Sequence, residues 1–92
     1  MVVLDEEHMS WLLFQHTNDM YLSVVCGTVG MFTIEIQLTH SEASSYKLTG
    51  KSYIAQLASS IRAKPEYFTL RKVANFRTDF NVTEALSEWR SS

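Results

Sequence analysis

Eight residues, Phe32 to Thr39, constrain this chain more than any others. Phe32, Ile34, Ile36 and Leu38 are apolar, and Thr33, Glu35, Gln37 and Thr39 between them are polar. A repeat of two sends successive side chains to opposite faces of an extended strand, one face against a core and one against water. Just upstream, Met20–Cys26 is a second β-rich run. Gly27-Thr28-Val29-Gly30 joins the two with the glycines that hairpins favour.

Working back from this hairpin, Met9–Gln15 is too short and too aromatic to favour a helix and reads as a strand. His16-Thr17-Asn18-Asp19 supplies turn residues after it. Residues 9–39 therefore read as a three-stranded antiparallel meander, with Val2–Leu4 as an edge strand or a frayed end.

At Thr39 the period changes. Thr39 and Glu42 have the spacing of a capping box, in which the hydroxyl serves a free amide and the carboxylate reaches back. A helix of two turns follows and stops at Gly50. From Lys51 to Ala63, Ile54, Leu57, Ala58 and Ile61 form one stripe at i, i+3, i+4 and i+7. Pro65 ends that helix, because it lacks an amide hydrogen and disfavours a helical Lys64. Tyr67–Phe76 reads as a later strand with imperfect alternation. Asn81 and Glu84 then open a last helix with Val82, Ala85, Leu86 and Trp89 on one side.

The expected architecture is one α+β domain over residues 1–92, in the order βββ-αα-β-α. It is a two-layer sandwich of a mainly antiparallel sheet (the meander plus the later strand) with helices on one face. The other face is expected to be wet or open to a partner. The single Cys26 allows no internal disulfide. The opening MVVLDEEH is acidic where a secretion signal would be basic, and no apolar run is long enough to span a membrane. The expectation is a cytoplasmic protein that does not enter membranes.

Charge is lopsided. Residues 1–46 carry −6 and residues 47–92 carry +4, for a net −2. Such asymmetry can place an acidic face on one side of a domain and speed encounter with a cationic partner. The candidate surface is Asp5, Glu6, Glu7, Asp19, Glu35, Gln37 and Glu42, with Glu35 and Gln37 on the wet side of the central strand.

Catalytic and metal chemistry are poorly supplied. His8, His16 and His40 lack the spacing of a zinc site, and Cys26 shares the apolar register of Leu22 and Val24, as a buried thiol would. No metal, cofactor or catalytic residue is expected. Two alternatives remain. Glu35, His40 and Arg71 or Arg77 match in type the acid, base and phosphate-stabilising groups of a small ribonuclease. Arg62, Lys64, Arg71, Lys72 and Arg77, with Tyr67, Phe68 and Phe76 among them, match a nucleic-acid-binding module.

The succession FTIEIQLT, SEASSYKLTG, YIAQLASSIRAKPEYFTLRKV, over about residues 20–73, resembles small bacterial immunity proteins found with polymorphic or contact-dependent toxins. The resemblance lies in the rhythm of strand, Glu-bearing helix, Gly, second helix, Pro and strand. It implies a cytoplasmic inhibitor that binds and neutralises a cognate toxin, often a basic nuclease, by covering its active site, with no catalytic residues of its own.

Overall fold

The sheet forms from the first two fifths of the chain. In the computed structural model, which describes residues 1–27, 32–73, 76 and 80–91, four strands run β1 (Val2–Glu7), β2 (Trp11–His16), β3 (Asp19–Cys26) and β4 (Phe32–Gln37). They lie in the order β1-β2-β3-β4, each antiparallel to the next. The stretch at Val2 is thus a full strand, with a bulge between Val3 and Asp5. Thr17 takes the positive φ of the tight β2–β3 turn. Thr28, Val29 and Gly30 of the β3–β4 connection lie outside the described residues.

Two helices roof the first face of this sheet. They are α1 (His40–Thr49) and α2 (Lys51–Ala63). Gly50, at φ +87°, separates them; the positive φ favours a residue without Cβ. Ile54, Ala58 and Ile61 of α2 pack on Leu13, Leu22, Val24, Ile34 and Ile36, all at most 2% exposed. Phe32 departs from the expected pattern. It shares this face but is 47% exposed.

The described residues of Tyr67–Phe76 form no strand beyond a single bridge. Pro65–Arg71 is a 3-10 helix with Pro65 in its first turn, where the missing amide costs nothing. Beyond it the chain touches β4 through one bridge, Lys72 to Ile36, and through the Val73 amide, which donates to the Glu35 carbonyl at 2.8 Å. The fourth strand of the meander comes instead from the N-terminal segment.

The second face of the sheet is also covered, contrary to the one-sided expectation. Helix α3 (Val82–Ser91) lays Val82 and Ala85 against Val3, Phe14, Tyr21 and Phe76. The reason lies in β2 and β3. Leu12, Phe14 and Tyr21 alternate with Leu13, Met20 and Leu22, so both faces carry apolar side chains. A sheet that is greasy on both sides needs a cover on both. The class is α+β with an antiparallel sheet, and no helix among the described residues is long and apolar enough to cross a membrane.

Candidate functional site

Helix α3 leaves part of the second face open at the end where the β1–β2 turn curls over. A groove of about 200 Å³ remains there. Leu12, Ser23 and Thr33 of β2, β3 and β4 line it together with Glu6 of β1, His8 of the turn and Arg90 of α3. The turn is fixed from the far side by Arg62. Its Nε donates to the Val25 carbonyl at 3.0 Å, and its Nη2 donates to the Ser10 carbonyl and hydroxyl at 3.2 and 2.7 Å. A guanidinium shared among three oxygens gives the wall a fixed geometry.

The seven expected partner residues do not gather into one patch. Glu6 lines the groove; its carboxylate accepts from the Trp89 indole at 2.8 Å and lies 3.9 Å from Arg90. Glu7, also lining it, pairs with Lys51 at 3.4 Å. Glu35 stands beside the groove, its carboxylate accepting from the buried Ser23 hydroxyl at 2.8 Å.

Asp5 and Glu42 are engaged within the fold. Asp5 accepts the Glu6 amide at 2.9 Å and meets Tyr46 of α1, whose phenol is held above its ordinary value by burial and then by that carboxylate. Glu42 completes the expected capping box with Thr39 and also takes both arms of the Arg71 guanidinium. Burial pushes the Glu42 carboxyl up, but the Arg71 and Thr39 hydrogen bonds outweigh it and leave the value below the glutamate range. Asp19 and Gln37 lie elsewhere. They line a second groove of about 500 Å³ at the opposite end of the sheet, with Asn18, His40 and Lys47.

The ribonuclease-like trio is not assembled. Arg71 is committed to Glu42 and the Gln37 carbonyl, Glu35 to Ser23, and His40 is exposed at the start of α1. No hydrogen bond joins any two of these three side chains among the described residues; Arg77 lies outside them. The nucleic-acid set is likewise dispersed. Arg62 braces the turn, Arg71 is neutralised by Glu42, and Phe76 is core. Lys64 lies 5.8 Å from the Tyr67 ring centre, and Lys72 is exposed.

Among the described residues no group of three or more His, Cys, Asp and Glu could hold a metal ion. Cys26 is buried, and that burial pushes its thiol up; Glu35 pushes the same way, while Arg62 and Lys72 oppose them.

Ser23, Thr33 and Arg90 are groove residues that sequence reasoning missed. Ser23 was the legible one, since a lone hydroxyl inside the apolar run of β3 marks a polar partner on that face. No family model, no curated protein and no solved structure matches this chain.

Proposed function

We propose that this chain is a binding protein of the immunity type, which neutralises a basic protein toxin, a nuclease by charge, in the cytoplasm and does no chemistry itself. One observation carries the reading. The open groove keeps Glu6 and Glu7 in its lining and Glu35 beside its floor. Among the described residues Arg90 is the one Lys or Arg in that lining, with a side chain 61% exposed and 3.9 Å from Glu6. A loose exposed pair of this kind contributes little and yields readily to a better-placed cation. An acidic groove steers a cationic surface into place and presents it with the charge of a phosphate backbone. The surface is narrower than the charge pattern alone suggests, because Asp5 and Glu42 serve the fold.

The test is calorimetric titration of the chain with the protein encoded beside its own gene, at about 50 and about 300 mM salt. A one-to-one complex is expected, weakened by salt and weakened about tenfold when Glu7 and Glu35 are both changed to Gln. Absence of a complex, or a complex indifferent to salt and to both substitutions, removes the proposal.

A further inference from the structure

Ser23 is the one buried polar side chain among the described residues, at 3% exposure. It stands on β3 directly opposite Glu35 of β4, and its hydroxyl, in the lining of the groove, donates to Glu35 Oε2 at 2.8 Å. A hydroxyl taken out of water is costly unless it is bonded, so the fold favours this contact. The contact fixes one oxygen of the carboxylate and so aims the other. Glu35 Oε1 accepts no hydrogen bond among the described residues, and Glu35 enters none of their ion pairs. The other acids at the groove differ. Glu6 already meets Trp89 and Arg90, and Glu7 meets Lys51.

Glu35 is half-buried. A neutral hydroxyl helps to hold its carboxylate but does not compensate its charge, so a cation brought by another molecule supplies the missing partner. Beside it the groove floor is Leu12 and Val25. An apolar floor that ends at a carboxylate suits a long side chain with an apolar stem and a charged head. A guanidinium is more weakly hydrated than an ammonium and loses less on entering a half-buried site. We propose that Glu35 receives an arginine side chain of the partner, its stem on Leu12 and Val25 and its guanidinium on Oε1, and that Ser23 is the positioning residue that aims the carboxylate. This rests on the reading of the chain as a binder of a basic protein and adds which residue holds that protein and by what chemistry.

Fluorescence anisotropy of a labelled tetra-arginine peptide tests the site without the partner, with tetra-lysine and tetra-citrulline peptides for comparison. The arginine peptide is expected to bind, the lysine peptide more weakly and the citrulline peptide not at all. Glu35→Ala is expected to weaken the arginine peptide about tenfold and Ser23→Ala about threefold, with circular dichroism unchanged. In the Glu35→Ala background, Ser23→Ala is expected to change nothing further, a coupling that a merely structural serine would not show. No binding of the arginine peptide, equal binding of the lysine peptide, or affinity indifferent to Glu35→Ala overturns the proposal. Additive losses in the double variant overturn the role of Ser23. The two readings fail separately. A salt-sensitive complex with the protein encoded beside the gene that survives both substitutions intact keeps the basic partner and overturns this site. Arginine peptide held through Glu35 and Ser23, with no such complex, upholds this site and removes that partner.

Discussion

Glu42 ties three parts of the chain together at one carboxylate. Its carboxylate accepts from the Thr39 amide at 2.8 Å, its own amide donates to the Thr39 hydroxyl at 3.1 Å, and Arg71 reaches it from the 3-10 helix. The first two contacts were legible, because a capping box is a local spacing. The third was not, since Arg71 lies 29 residues away and only the fold brings it back. The consequence is a pH-dependent brace. A carboxyl whose folded value is depressed stabilises the fold at neutral pH, and that contribution is lost as pH falls through the ordinary glutamate range to the lower folded value. Arg71→Ala is expected to cost about 1–2 kcal/mol at pH 7, discounted for the partial exposure of the pair, and to flatten the acid limb of stability. Urea denaturation at several pH values checks this; an equal loss at pH 7 and at pH 3 would rule out the brace.

At the scale of elements, the two roof helices are stabilised differently. Helix α1 buries none of its residues, so its caps and its links to neighbours hold it. Helix α2 inserts Ile54, Ala58 and Ile61 into the core. Thr39→Ala is expected to cost about 1 kcal/mol through the lost cap. Ile61→Ala is expected to cost about 2–5 kcal/mol through a cavity that the strands cannot fill. Chemical denaturation of both variants tests the ranking, and an Ile61→Ala loss no larger than that of Thr39→Ala would refute it. The bounds of α2 were readable from a 3.6-residue stripe and from Pro65. The 3-10 helix was not, because seven residues of apolar and polar mixture fit a strand as well until tertiary contacts decide. Phe68 turns in to the core while Tyr67 and Leu70 turn out, a pattern of three that short alternation disguises.

Across the whole molecule, one sheet separates two cores. Trp11 belongs to the first, at 3% exposure, and Trp89 packs against the second. Strands β2 and β3 contribute side chains to both, so the faces are expected to unfold together. Trp89→Phe leaves Trp11 to report the first face, and Trp11→Phe leaves Trp89 to report the second. In each variant the fluorescence midpoint in urea is expected to coincide with that of circular dichroism; separate midpoints in either would show the two halves melting apart. The doubled core was written in the sequence of β2 and β3, where apolar residues stand next to one another. The clean alternation of β4 drew the expectation of a wet face, because β4 lies at the sheet's edge, where the second cover does not fully reach.

The bulged outer strand carries a last implication. A bare strand margin is an invitation for neighbouring chains to zip on and grow into fibres. Here Asp5 folds its own carboxylate onto the Glu6 amide, the Val3–Asp5 kink spoils the straight template, and three adjacent negative charges repel a like strand. The acids that first read as bait for a partner double as a fence along that margin.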